Sequence, residues 1–391
     1  MNYTSVRLRL DVLVWTVLAL TLTASTWAQT PVPAAPSVGA TSYILMDFHS
    51  GNVIAERNPD DRVEPASITK LMTSYVAFSE IARGNLAMDD ELLVSEVAWR
   101  TPGSRMFIEV GNRVRVEEVL KGIIIQSGND ASVAIAEHLG GTEAVFASMM
   151  NEQARELGMT NTNYVNSTGL PDPDQYTSAR DSAILAAAII RDFPEFYAWY
   201  SEREYTYNDI RQHNRNRLLW RDPSVDGLKT GHTSSAGYCL VTSASRDGMR
   251  LVSVVMGTDS EEARASASQA LLNYGFRFFE TYQIYDAGDE LKVERVWKGR
   301  DNEVRLGIED ELFVSIPRGR YDALEARLEL DDTLTAPLDQ GQHVGRLRIM
   351  LDGDTVAERA LVTLTPVEEA GFFGRTTDSM RMWFGGLFGR D

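Results

Sequence analysis

Two short apolar runs, residues 42–47 and 53–57, lie on either side of the turn His49-Ser50-Gly51-Asn52, which predicts a β-hairpin. Pro65 then opens a helix in which Ile68, Leu71, Met72, Tyr75 and Val76 recur at helical spacing, ending near Gly84. The 3.6-residue period continues over residues 116–126, 130–139, 142–157 and 178–191. Gly158 stops the third of these, and Ser178 with Asp181 forms a capping pair for the last. From Tyr238 to Met256, two apolar strand-like runs flank the turn Arg246-Asp247-Gly248, and a helix over residues 261–279 closes the unit. A hairpin, a run of helices, a second strand pair and a final helix predict a sheet covered by helices.

After about Tyr285 the texture changes. Short strand-like runs at 293–297, 312–316, 326–330, 344–351 and 356–364 are separated by Gly, Pro and Asp turns. They predict a small all-β domain of roughly eighty residues, within the usual range for an independent unit. No catalytic pattern falls in it, so a spacer or protein-binding module is expected there.

Both ends carry targeting patterns. Arg7 and Arg9 precede an apolar run from Val12 through Leu22, and Thr26 and Ala28 are small enough for signal-peptidase cleavage before Gln29. The run is short for a bilayer span, which disfavours an uncleaved anchor. The Pro- and Ala-rich stretch from Pro31 to Pro36 reads as a tether. At the other end, at about 100° per residue, Phe372, Phe373, Met380, Trp383, Phe384, Leu387 and Phe388 share one helical face. Arg375, Asp378 and Arg381 lie off that face and exclude a spanning segment, which leaves a helix lying in a membrane surface. The expected organisation is a signal peptide (1–28), a linker (29–38), a catalytic domain (39–284), a β-rich domain (285–366) and an amphipathic membrane-anchor helix (367–391).

Composition narrows the partners. With 56 Asp and Glu against 38 Lys and Arg, the chain is unsuited to binding nucleic acid or to docking on anionic lipid by charge alone. The sole cysteine, Cys239, cannot form an intramolecular disulfide and sits in an apolar run as a small hydrophobe. The five histidines (His49, His138, His213, His232, His343) are scattered, and no cluster at metal-ligand spacing is present, so no metal and no cofactor is expected.

Three short motifs carry chemistry: Ser67-Ile68-Thr69-Lys70, Ser127-Gly128-Asn129 and Lys229-Thr230-Gly231. Alone, Ser-x-x-Lys describes an ordinary helix start with a solvated lysine; the ordered trio is what makes a site. Ser67 and Lys70, three apart on a helix, face the same side, and the helix end favours negative charge on the serine oxygen. Lys70 can act as a base if burial and a second cation such as Lys229 lower its pKa. Ser127 lies between two helical runs, where a hydroxyl can relay a proton, and Asn129 can bind a peptide carbonyl, orient Lys70 or simply cap a helix. Lys229 and Thr230 can grip a carboxylate, Gly231 permits close backbone approach, and the backbone N–H groups of Ser67 and His232 are candidate oxyanion donors. Lysine usage adds weight: of five lysines against thirty-three arginines, two fall in these motifs, and arginine cannot give up its proton.

The ordered trio is the pattern of penicillin-recognising serine enzymes. The chain resembles the low-molecular-weight penicillin-binding proteins, specifically the serine-type D-alanyl-D-alanine carboxypeptidase family with a β-rich C-terminal domain and a membrane-binding tail. The likeness extends to the segments around Arg211-Gln212-His213-Asn214-Arg215-Asn216, Val225-Asp226-Gly227-Leu228, Gly275-Phe276-Arg277-Phe278 and Ile316-Pro317-Arg318-Gly319-Arg320. It implies an α/β (α+β) catalytic domain of the serine β-lactamase/transpeptidase type, an antiparallel sheet covered by helices. It also implies attack of Ser67 on the D-Ala-D-Ala amide of a peptidoglycan pentapeptide, with β-lactam antibiotics forming a covalent adduct there. Carried over by motif, Lys70 would be the general base and Ser127 the proton relay. Asn129 and Lys229 would position and polarise the substrate, while Thr230 and Arg215 would bind its terminal carboxylate. Thr168 stands where some members carry His and is assigned no role; Asp192 matches a supporting acidic position.

Rival chemistries remain to be weighed. A class A β-lactamase activates its deacylating water with a glutamate, and no Glu-x-x-Leu-Asn occurs between Ser127 and Lys229. A DD-endopeptidase would use the same trio but usually lacks a second domain. A catalytically dead membrane-tethered scaffold would have no need to retain Ser67, Lys70, Asn129 and Lys229.

Overall fold

The computed structural model describes residues 32–387, with side chains placed through residue 381. The expected signal peptide lies outside the described residues, as do the side chains of Trp383, Phe384, Leu387 and Phe388. The first hairpin forms as its turn predicts, with strands Ser42–Asp47 (β1) and Val53–Arg57 (β2). Later in the chain come Val225–Thr233 (β3), Gly237–Arg246 (β4) and Met249–Thr258 (β5). Together they make one five-stranded sheet in the order β2-β1-β5-β4-β3, antiparallel throughout.

All six residues of β1 are buried, because both faces of the sheet are covered. Ile44 and Met46 enter one apolar cluster with Val252, Val254, Met256 and Val241, while Tyr43 and Leu45 enter another with Leu251, Val255 and Leu240. The strand period of two thus sorts each strand between two cores. The first core is filled by the helices inserted between β2 and β3, and the second by the Glu261–Phe278 helix.

The helices follow the sequence periods closely. They run over Thr69–Ala82, Val116–Ile124, Asn129–Gly140, Glu143–Glu156 and Ala179–Asp192. Ser178 caps the last through its side chain, accepting from the Asp181 N–H at 3.1 Å. The Thr69–Ala82 helix is buried from Thr69 through Ser79, on every face. That is why it carries Thr69, Lys70, Thr73 and Ser74 into the middle of the domain.

The second domain is the expected all-β unit. Its main sheet has the order Glu290–Arg295, Glu303–Gly307, Asp354–Thr363, His343–Leu351, Leu324–Leu330. Two of its strands were not anticipated. Glu303–Gly307 is short and half polar, and Phe279–Tyr285 pairs with Leu312–Pro317 ahead of the boundary expected at residue 285. Thr281-Tyr282-Gln283-Ile284 alternates in strand fashion but follows closely on an apolar helix end, so the change of period is hidden. At the junction Thr281 Oγ1 donates to the buried Asp47 carboxylate at 2.6 Å, and Asn52 Nδ2 donates to Ser315 O at 3.2 Å.

A helix over Phe372–Leu387 ends the described chain. It leaves Phe372, Phe373 and Met380 exposed, while Asp378 turns inward and accepts from the Lys298 N–H at 2.8 Å. Among the described residues no helix is long and apolar enough to cross a membrane.

Candidate active site

Several separate segments converge on one cleft of about 410 Å³, lined by Ser67, Ser127, Arg215, Thr230, Gly231 and His232 among others. The Ser67 segment is a single 3-10 turn, Ala66–Ile68, leading directly into the buried helix. That turn is pressed from two sides. A Cβ on Gly231 would lie 3.0 Å from Pro65 O and 3.2 Å from the Ala66 Cβ, so this glycine lets β3 pack against the nucleophile turn itself. On the other side Gly169 has φ +81°, and a Cβ there would collide with Ala66 O at 1.7 Å.

Lys70 is 1% exposed. Its Nζ donates to Ser67 Oγ at 2.9 Å and to Thr168 O at 2.6 Å. When Lys70 is neutral the first contact can reverse, with the serine hydroxyl donating. Thr168, assigned no role from the sequence, therefore contributes its backbone carbonyl. Its loop is fixed by Asn166 Oδ1, which accepts from the N–H groups of Thr168 and Gly169, and by Glu143, which accepts from Ser167.

Ser127 is buried in the break between two helices with φ +61°, a conformation unusual outside glycine. Its Oγ accepts from Lys229 Nζ at 2.8 Å. Asn129 opens the next helix, and its side-chain amide donates to Pro102 O at 2.6 Å; Lys70 takes Thr168 as its second partner instead. Lys229 and Thr230 lie buried on β3, the edge of the sheet, where one side of the strand is free of a neighbouring strand. His232 is exposed on the same strand and its ring stacks on Tyr238 at 3.9 Å.

Arg215 is held out into the cleft by its two neighbours. Asn214 and Asn216 are buried, and Asn216 Nδ2 donates to Gly227 O on β3 at 3.0 Å. A further cation went unanticipated: Arg264, 4% exposed on the Glu261–Phe278 helix, lines the cleft and donates to Gly231 O at 3.1 Å. It is one of thirty-three arginines in the chain, so nothing in the sequence singles it out.

The electrostatics follow from burial among like charges. Lys70 is pulled down from 10.5 to about 7, first by loss of hydration and then by Arg215, against a smaller opposing pull from Asp130. Lys229 is pushed well below the ordinary lysine value by burial, then by Lys70, Arg215 and Arg264. Arg215 is the cation that lowers Lys70 most, and the mutual repulsion with Lys229 that the sequence suggested is felt at Lys229. Such a site offers a hydroxyl beside a lysine able to lose its proton near neutrality, a second hydroxyl joined to a second lysine, and a cationic rim. That equipment suits acyl transfer from a substrate ending in a carboxylate. Among the described residues no group of His, Cys, Asp and Glu could hold a metal ion.

Comparison with known proteins agrees with this chemistry. A family profile described as D-alanyl-D-alanine carboxypeptidase matches residues 29–260, and one described as the C-terminal domain of penicillin-binding protein 5 matches residues 279–369. The chain is 45% identical to D-alanyl-D-alanine carboxypeptidase DacC of Escherichia coli (strain K12), over 90% of this chain and 92% of the relative. It is 44% identical to DacA of Haemophilus influenzae, over 90% of this chain and 91% of that one. The crystal structure of penicillin-binding protein 5 from Haemophilus influenzae superposes with a TM-score of 0.84 at 44% identity, covering 86% of this chain and 100% of the other.

Proposed function

The chain belongs to the D-alanyl-D-alanine carboxypeptidase family, and from that premise we propose that Ser67 is the nucleophile that releases terminal D-alanine from a peptidoglycan stem pentapeptide. The observation that carries this reading is the Ser67–Lys70 contact at 2.9 Å, with Lys70 brought to about 7 by burial.

Neutral Lys70 takes the Ser67 proton as Oγ attacks the carbonyl carbon of the penultimate D-alanine. The carbonyl oxygen becomes an oxyanion, received by the backbone N–H groups of Ser67 and His232. As the intermediate collapses the C–N bond breaks, and the leaving amine takes a proton from Ser127, which Lys229 resupplies. Thr230 and Arg215, with Arg264 behind them, hold the terminal carboxylate, and Asn129 and Lys229 align the peptide. Lys70 passes the proton it took on to restore the Ser127–Lys229 pair and is neutral again when water attacks the Ser67 ester. It takes the water's proton and returns one to Ser67 Oγ as the ester bond breaks, leaving a tetrapeptide with a new carboxylate. A β-lactam follows the same first step, but its amine stays tethered by the opened ring, so the adduct is covalent.

The enzyme is exported and works at the outer face of the cytoplasmic membrane, attached peripherally. Exposure of Phe372, Phe373 and Met380 along one helix supports a tail that lies in the lipid surface without spanning it. The catalytic unit ends near the Glu261–Phe278 helix and the β-rich unit follows. A labelled penicillin should attach to the wild type and fail to attach to Ser67→Ala; undiminished labelling of the variant would refute the nucleophile.

A further inference from the structure

Asp130 follows directly on the Ser127-Gly128-Asn129 motif, is fully buried, and has no part in the acyl-transfer steps. Its carboxylate is used entirely by backbone. Oδ1 accepts from the N–H groups of Met106 and Ala131, both at 2.9 Å, and Oδ2 from those of Phe107 at 2.9 Å and Ile108 at 3.3 Å. The nearest cation, Arg105 Nε, is 4.0 Å away, and the Arg105 guanidinium donates to Trp99 O instead. A buried charge held by peptide groups in place of an ion pair is costly unless the geometry it fixes is kept.

What it fixes is a strap, residues 102–108, that contributes to the wall of the cleft. Asn129 holds the near end of this strap: its N–H donates to Ser104 O at 2.7 Å and its side-chain amide to Pro102 O at 2.6 Å. Asp130 holds the far end. Gly103 and Ser104, between the two clamps, line the cleft. A further tether comes from the 204–213 hairpin, where Gln212 Nε2 donates to Arg105 O at 3.0 Å. Phe107 takes φ +70° inside the strap, a strained value that turns successive N–H groups onto one carboxylate.

We propose that Asp130 is a positioning residue for the reaction: it locks the 102–108 strap onto the start of the Asn129 helix, fixing Ser104 and the Asn129 amide where the substrate's acyl portion lies, and places a negative charge behind Lys70. This rests on the reading of Ser67 and Lys70 given above. The charged groups acting on Lys70 come from three elements: Arg215 after the hairpin, Lys229 on β3 and Asp130 on the Asn129 helix. Asp130 is the one that favours the protonated lysine, so removing its charge makes Lys70 easier to deprotonate.

The test is Asp130→Asn in the full chain, beside wild type, Ser67→Ala and Gln212→Ala. D-alanine release from a pentapeptide is followed across pH, with amide hydrogen exchange as a second readout. An asparagine keeps the shape but turns an NH₂ toward N–H donors on one edge. Exchange should therefore quicken within 102–108 while the helices stay protected. At neutral pH kcat/KM should fall on the order of tenfold to hundredfold, as for a misplaced substrate. The acid limb of the profile should move to lower pH, an effect that loss of packing alone would not give. A wild-type KM with an unmoved acid limb overturns the proposal, as does an activity loss in which exchange opens across the whole domain and the limb stays put. If Asp130→Asn does not fold, Gln212→Ala decides: a raised KM with unchanged Tm supports the strap's role, and an unchanged KM overturns it. Failure of the underlying reading is separate, since it would show as D-alanine release surviving in Ser67→Ala.

Discussion

Lys70 Nζ and Ser67 Oγ stand 2.9 Å apart with the lysine almost wholly out of water. Hydration that would favour an ammonium is missing, and Arg215 repels one, so proton loss near neutrality is built into the position. The base form is the neutral amine. Below about 7 it is protonated and inactive, and above that value it is free to accept the serine proton. Accordingly kcat/KM for D-alanine release should rise with pH through about 7 and level off above it. Lys70→Arg, which keeps a charge that cannot be surrendered, should abolish acylation by labelled penicillin at every pH.

Arg215 has two jobs in this account, and one substitution reads both. Removing its charge relieves the repulsion that lowers Lys70, so in Arg215→Gln the acid limb should move to higher pH. The same change removes a donor for the terminal carboxylate, so KM should rise for a free-acid substrate and much less for its C-terminal amide. Steady-state kinetics on the two substrates across pH separate the effects.

Gly169→Ala tests the packing of the nucleophile turn. The position has φ +81° and no room for a methyl group against Ala66 O. Strain and collision together should cost at least ~1 kcal/mol of stability and displace Ser67 from Lys70. Chemical denaturation measures the first effect, and the rate of penicillin acylation the second.

Deleting residues 371–391 should leave a protein that stays in the supernatant after ultracentrifugation with lipid vesicles and retains full activity on a soluble pentapeptide. The exposed Phe372, Phe373 and Met380 are removed with that segment, whereas the cleft is built wholly from residues before the second domain. Sedimentation of the truncated chain with vesicles would contradict the tail's role.

The site was legible where chemistry lives in side chains at fixed spacing. Ser67 with Lys70, Ser127, and Lys229 with Thr230 and Gly231 were read from motifs, and the structure brings them to one cleft. Thr168 was not legible in that way, because a backbone carbonyl acceptor is independent of residue type. Arg264 was hidden by the abundance of arginine, and only its hydrogen bond to Gly231 O on β3 gives it a place. Asp130 was adjacent to a motif yet silent, since its partners are N–H groups of a strap some twenty residues earlier. The strand Phe279–Tyr285 was masked by the apolar helix end that runs into it. In each case the missing information was tertiary: which backbone comes to lie beside which side chain.

The most direct test of the central claim is D-alanine release from a stem pentapeptide by wild type and Ser67→Ala, with a crosslinked peptide dimer in parallel. The account predicts free D-alanine from the pentapeptide, little monomer from the dimer, and a loss on the order of 10⁴-fold or more in the variant. Release of D-alanine by Ser67→Ala at the wild-type rate, or dimer cleavage without D-alanine release by the wild type, would contradict it.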